Sequence, residues 1–235
     1  MENNKDNNND HTAFSIYKNK AIFVNESMYF DPDLVCISNA YKGLVKEIVL
    51  TSGTINDRVE KMAEEIMIKN KGKTLTFIVI MKSSFVFASE LHKKIMNLMK
   101  FENTTYSHFE FVTVSSYQND KSTGEVKINC NENFLENLKG KDIIIVEDLI
   151  DTGKTLQKLK LKLENYGLNS LQFCILFYKL NKNNVDCQII ADYLGFVIPD
   201  SFVVGYGMDF NEKFRDLNHL CTISEKGFNQ FLNCK

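Results

Sequence analysis

The chain has 235 residues and a formal net charge of −2, with 28 basic side chains against 30 acidic ones. That length supports one domain with a sizeable core, and that balance gives no electrostatic case for nucleic acid or a membrane surface as partner. No apolar run approaches the roughly 20 residues that span a bilayer, and the six cysteines are scattered without a Cys-x-x-Cys pair. This argues against a zinc site and for reduced thiols in a cytoplasmic protein.

The opening MENNKDNNNDHTAF is polar and rich in Asn and Asp, so residues 1–12 are expected to form a disordered tail. It lacks the plan of a secretory or transit peptide. Pro32 marks an early turn. Residues 55–69 place Val59, Met62, Ala63 and Ile66 on one face of a helix. Residues 74–81 (TLTFIVIM) read as a buried strand, and 87–99 as a helix with Leu91, Ile95 and Leu98 aligned. Residues 108–116 alternate as a strand, 117–125 form a polar loop, and 126–129 are its return strand. A strand over 142–146 precedes a helix over 156–166 with Gly167 as its cap, then a buried strand over 171–178. Shorter strands are expected at 193–198, 202–206 and 220–223, with Pro199 ending the first of these. Alternating strands and helices predict an α/β fold around a largely parallel sheet. There is no repeat and no linker.

The most informative stretch is IIIVEDLIDTGKTL, residues 143–156. Ile143, Ile144, Ile145 and Val146 form a strand buried on both faces. Glu147 and Asp148 follow where such a strand leaves its sheet. Asp151, Thr152, Gly153, Lys154 and Thr155 then make a polar loop before the helical spacing of Leu156, Leu159 and Leu163. Ligands of open α/β sheets bind beyond the carboxyl ends of the strands. Backbone N–H groups at a helix start hold anions, and paired carboxylates suit a sugar diol or a hydrated Mg²⁺. The stretch therefore reads as a site for a ligand carrying both phosphate and hydroxyls. The spacing is neither a Walker A loop nor a G-x-G-x-x-G turn. The plain alternative is a capped helix start, since Asp and Thr are ordinary N-caps.

Two acids, two apolar residues and D-T-G-K-T resemble the phosphoribosyl-pyrophosphate (PRPP) loop of the type I phosphoribosyltransferases. A second run, residues 198–219, reads IPDSFVVGYGMDFNEKFRDLNH. It resembles the purine-binding end of the hypoxanthine-guanine phosphoribosyltransferases, where the pattern is I-P-D-x-F-V-V-G-Y-x-x-D-x-N-E-x-F-R-D-L-x-H. The resemblance runs from about residue 23 to 223 and is nearest to protozoan purine-salvage members. It implies the type I phosphoribosyltransferase fold: a mostly parallel central sheet flanked by helices, with a small hood from N- and C-terminal segments. A single domain over 13–235 is expected, with hood parts at about 13–45 and 195–235.

The resemblance also implies roles. Glu147 and Asp148 engage the ribose hydroxyls and Mg²⁺. Asp151, Thr152, Gly153, Lys154 and Thr155 bind the 5′-phosphate, and Asp151 is the general base. Lys82, Ser83 and Arg215 hold pyrophosphate, and Ser116 and Tyr117 belong to a lid over the site. Lys179, Phe202, Val203 and Asp209 serve the purine, with Asp209 also a metal ligand. Two positions depart from the family. Ser83 stands where glycine is usual, in a loop whose lysine commonly follows a cis peptide. Lys179 is followed by Leu180 and Asn181 rather than the usual Arg-Thr, which leaves Lys182 competing to read the base. The implied reaction carries 5-phosphoribosyl from PRPP to hypoxanthine or guanine, with xanthine a further candidate, giving IMP or GMP and pyrophosphate. A homodimer or homotetramer is implied. The rival is a PRPP- or nucleotide-binding regulator of the same fold without turnover.

Overall fold

The computed structural model describes residues 15–100, 106–116, 126–129, 133–181 and 189–232. The expected tail at 1–12, the polar loop with Tyr117, and Lys182 lie outside the described residues.

In chain order the elements are β1 (Ile22–Phe23), β2 (Val45–Leu50), α1 (Ser52–Lys69), β3 (Thr74–Met81), α2 (Phe85–Met99), β4 (Tyr106–Ser116), β5 (Val126–Asn129), β6 (Asp142–Ile150), α3 (Lys154–Glu164), β7 (Ser170–Leu180), β8 (Tyr193–Pro199), β9 (Val203–Val204), β10 (Leu220–Ile223) and α4 (Glu225–Phe231). A seven-stranded sheet has the order β1-β8-β7-β6-β3-β4-β5. Every pairing in it is parallel except β4 with β5. The expected α/β fold with a mostly parallel sheet is therefore what forms.

The period-two alternation of a strand splits β6 between two cores. Ile144 and Val146 pack with Phe77 and Val79 against Ile55, Val59 and Met62 of α1 and Phe87 and Leu91 of α2. Ile143 and Ile145 pack with Phe173 and Ile175 against Leu156, Leu159 and Leu163 of α3. Burying each of these side chains stabilises the fold by about 1.5–3 kcal/mol. Helix α1 starts ahead of its apolar stripe because the Thr51 side chain accepts a hydrogen bond from Thr54 N and caps it.

Strands β6 and β7 run further than their apolar residues suggest. Pairing of β6 with β3 stops at Val79↔Val146, but pairing with β7 continues through Glu147↔Ile175 to Ile150↔Tyr178. Glu147 and Asp148 thus lie inside a strand, not beyond it, and Lys179 likewise lies within β7. A charge is an exit signal only where no neighbour is left to pair.

The hood is a second, antiparallel sheet of three strands, β2-β10-β9. Its core holds Tyr41, Leu44, Ile48, Phe214 and Leu217. The Tyr41 ring stacks on Phe214 at 4.7 Å, and its hydroxyl accepts from Phe214 N at 3.1 Å. His219, in the hood, accepts from Ser52 N at 2.9 Å and so ties the hood to the start of α1. The strand expected over 202–206 shrinks to Val203–Val204, because Gly205, Tyr206 and Gly207 all take positive φ and turn the chain. Among the described residues, no helix is long and apolar enough to cross a membrane.

Candidate active site

From β3 the chain passes through α2 to β4 on one side of the sheet. From β6 it passes through α3 to β7 on the other. The boundary between β3 and β6 is therefore the topological switch point, where α/β sheets open a crevice beyond their carboxyl ends. A cavity of about 310 Å³ lies there. Glu147, Asp148, Asp151, Lys179, Ser83 and Phe202 line it, joined by Val203 and Asp209 from the hood side. Residues drawn from four separate stretches of the sequence thus share one crevice.

The two acids are held by a serine pair. Ser83 Oγ donates to Asp148 Oδ1 at 3.0 Å. Ser84 Oγ lies 3.1 Å from Glu147 Oε2 and 3.2 Å from Asp148 Oδ1, and it accepts from Asp148 N at 3.0 Å. A hydroxyl has one proton, so Ser84 serves one carboxylate at a time. This explains why Ser84, the N-cap residue of α2, makes no side-chain cap bond to its own helix. Burial, then the charge of Asp148, push the Glu147 carboxyl well above the usual carboxylate range. Burial also raises Asp148, which is 3% exposed, while Ser83 and Ser84 pull it back down. Two adjacent carboxyls, one buried and one half-buried, that resist ionisation together are primed for a cation or a hydroxyl donor.

After Ile150 the chain turns through Asp151, Thr152 and Gly153 into α3. Gly153 takes φ 70, and no side chain caps the helix. Thr152 Oγ1 accepts from Lys154 N only at 3.5 Å. The first N–H groups of an α-helix have no partner inside it, so this start is suited to a phosphate, and Lys154 and Thr155 stand on it.

Asp151 faces two donors from the end of β7. Lys179 Nζ lies 3.4 Å from Asp151 Oδ1. Asn181 Nδ2 donates to that same oxygen at 2.7 Å and to the Asp151 carbonyl at 3.0 Å. Sequence reasoning missed Asn181. It stood in the run after Lys179 that departs from the family, but nothing in that run pointed 30 residues back to Asp151. Phe202 is 52% exposed at the cavity rim and meets Phe210 edge-on at 5.7 Å. A large aromatic left open beside a cavity is a platform for a flat ligand rather than core.

The remaining residues stand where the hood meets β3. The Met81–Lys82 peptide is cis. Lys82 Nζ pairs with Glu212 Oε1 at 3.2 Å. Arg215 pairs with Asp209 Oδ1 at 2.8 Å and Glu212 Oε2 at 3.4 Å, and it donates to Gly207 O at 2.9 Å. Gly207, at φ 98, lies so close that a Cβ there would meet the Ser83 carbonyl at 2.2 Å. Of the expected lid, the Ser116 backbone ends β4 and Tyr117 falls outside the described residues.

The family model of the phosphoribosyl transferase domain matches residues 47–211. The chain belongs to the phosphoribosyltransferase family. This phosphoribosyltransferase is 38% identical over 199 residues to the hypoxanthine-guanine phosphoribosyltransferase of Cricetulus griseus, covering 84% of this chain and 90% of that one. Identity to the Homo sapiens enzyme of the same name is 37% over the same shares. Among solved structures, the Schistosoma mansoni hypoxanthine-guanine phosphoribosyltransferase in complex with IMP superposes with a TM-score of 0.75 at 28% identity, over 90% of this chain and 98% of that one. A Staphylococcus aureus hypoxanthine phosphoribosyltransferase superposes with a TM-score of 0.70 at 33% identity, over 81% and 98%.

Proposed function

We infer that this phosphoribosyltransferase works in purine salvage, moving 5-phosphoribosyl from PRPP to N9 of hypoxanthine or guanine and releasing pyrophosphate with IMP or GMP. The observation that carries this reading is the convergence, in one crevice, of the Glu147–Asp148 pair, Asp151 just ahead of the α3 start, Lys179 and the exposed Phe202 ring. Relatives of this sequence carry that activity in their names. No relative reported above is a regulator.

The proposed roles combine this arrangement with the family resemblance. Backbone N–H groups at 153–155 hold the 5′-phosphate by the dipole and open donors of α3. Glu147 and Asp148 take the ribose hydroxyls, exchanging their serine bonds for the sugar. Phe202 stacks on the purine, and the Val203 backbone reads its edge. Lys179 offers a donor to an exocyclic oxygen, which adenine lacks, since its 6-amino group is itself a donor. Lys82, Ser83 and Arg215 hold the leaving pyrophosphate. As the C1′–oxygen bond breaks, its electron pair leaves with pyrophosphate, N9 bonds to C1′, and Asp151 takes a proton from the purine. Positioning and charge stabilisation supply most of the acceleration in such a step.

Mg²⁺ fits the donors present. Among the described residues there is no cluster of three or more His, Cys, Asp or Glu able to enclose a metal. Mg²⁺ asks for less: it keeps most of its waters and takes one or two carboxylates with substrate oxygens. Glu147 and Asp148 would hold one ion and Asp209 a second. Bound Mg²⁺ supplies charge neutralisation to the pyrophosphate. A homodimer or homotetramer belongs to the same reading, resting on the family likeness. So does a cytoplasmic location, for which the unpaired thiols of Cys36, Cys174 and Cys221 speak.

The test is a steady-state assay of the purified chain with PRPP and Mg²⁺, offering hypoxanthine, guanine, xanthine and adenine in turn. Turnover of 6-oxopurines and none of adenine is expected. Binding of PRPP without turnover of any base would overturn the enzyme reading in favour of a regulator.

A further inference from the structure

Lys82 and Arg215, the cations assigned above to pyrophosphate, are already matched with carboxylates. Glu212 straddles them, with Oε1 3.2 Å from Lys82 Nζ and Oε2 3.4 Å from Arg215 Nε. The other arms of Arg215 reach Asp209 and the Gly207 carbonyl. Both cations that a pyrophosphate would use therefore already meet carboxylate oxygens of the protein.

The backbone under Glu212 is unusual. Phe210 and Lys213 exchange N–H to carbonyl bonds at 3.1 Å in both directions. Between them Asn211 and Glu212 take φ 50 and 62, the pattern of a type I′ turn. Asparagine suits the first of those places. Glutamate gains nothing from the second, where a left-handed backbone disfavours its side chain. Asp209 Oδ2 accepts from Glu212 N at 2.7 Å and pins the turn. A residue held in a disfavoured conformation at a ligand site invites a functional explanation. Here the turn aims one carboxylate at two cations. Arg215 and Lys82 in turn hold that carboxyl below its usual range, so Glu212 is charged throughout the working pH range.

We propose that Glu212 is an internal rival to pyrophosphate: its carboxylate holds the Lys82–Arg215 pair whenever no pyrophosphate is bound and competes with that group for both cations. The proposal rests on the reading of Lys82 and Arg215 as the pyrophosphate partners. Glu212 then sets affinity rather than chemistry. It weakens binding of PRPP through its pyrophosphate end and speeds departure of the product. Lys82 and Glu212 are 64% and 63% exposed, so their attraction is well screened and the effect is modest.

The test compares the intact enzyme with Glu212→Gln and Glu212→Gly at fixed Mg²⁺, reading the PRPP KM and the inhibition constant of pyrophosphate. Loss of the carboxylate should lower both by about two- to fivefold in either variant, and the gain should shrink at high salt. The glycine variant also relaxes the turn. A gain there without one in Glu212→Gln would assign the effect to the backbone and overturn the proposal. Unchanged or weaker binding in Glu212→Gln overturns it too, because Glu212 would then be inert or a prop for the cations. Lys82→Ala and Arg215→Ala separate the two layers. Pyrophosphate binding indifferent to both would sink the cation assignment itself. Losses there, with no gain in Glu212→Gln, would sink the rivalry alone.

Discussion

The start of α3, proposed for the 5′-phosphate, has no side-chain bond from its N-cap residue, whereas the Lys82–Arg215 end, proposed for pyrophosphate, offers cations already matched with carboxylates. The first is assembled from neighbours in sequence, residues 147–155, standing on one strand and one helix start. The second joins Lys82 to Glu212 across 130 residues of chain. The difference follows from what each end must do. On the proposed reading the 5′-phosphate stays bound from substrate to product, which suits a site whose N-cap residue is left uncapped. Pyrophosphate must leave at every turnover, and the proposed rivalry of Glu212 for Lys82 and Arg215 serves that release.

The largest effect is expected where the two ends meet at the reacting carbon. Asp151→Asn should cut kcat by about 10²–10⁴-fold and leave the PRPP KM near its normal value. Loss of PRPP binding with turnover intact at saturation would remove Asp151 from the role of base. Gly207→Ala attacks the seam between hood and core. The new Cβ must displace the Ser83 carbonyl, and φ 98 disfavours any side chain. A loss of about 2–3 kcal/mol, roughly 4–10 °C in Tm, should be seen by calorimetry. A variant as stable as the parent would mean that the hood is not seated on that loop.

Asn181→Ala removes both bonds from Asn181 Nδ2 to Asp151 and leaves Lys179, and kcat should fall about tenfold, as expected for a bond to a charged group, with the PRPP KM kept. If only Tm falls, Asn181 merely packs. The smallest effect concerns pH. The Glu147 carboxyl is raised well above its ordinary 4.5. The unfolded chain ionises it first, so its contribution to stability is complete below that value and lost as pH rises through the native pKa. A ligand that needs the charged form gains over the same interval. The PRPP KM of the parent should fall as pH rises from 4.5, and Glu147→Gln should flatten that slope.

Parts of both sheets were legible because their signals are local. Residues 74–81 in the main sheet and 220–223 in the hood were bounded as β3 and β10 are found, since their apolar runs end where their pairing ends. β6 and β7 were cut short because Glu147 and Lys179 read as exits, while their parallel neighbour carried the pairing onward. β1, β2 and α4 went unseen. β1 has two residues and exists only by pairing with β8, and Lys46 and Glu47 hide the apolar period of β2. In the site, the acids and loop were legible from spacing, and Phe202 from the likeness of its segment. Asn181 was not, because its target, Asp151, lies 30 residues back in the loop after β6. Glu212 sat in the quoted motif without a role, because its partner is a lysine far back in the chain. Ser83 stood out as a departure, but the oxygen it would reach depends on how the loop seats against β6.

Ser83 faces two ways. Its carbonyl lies under Gly207, and its hydroxyl grips Asp148. One residue of the β3–α2 loop thus touches both the hood and the carboxyl group of β6, so the seat of the hood and the place of Asp148 depend on the same short loop.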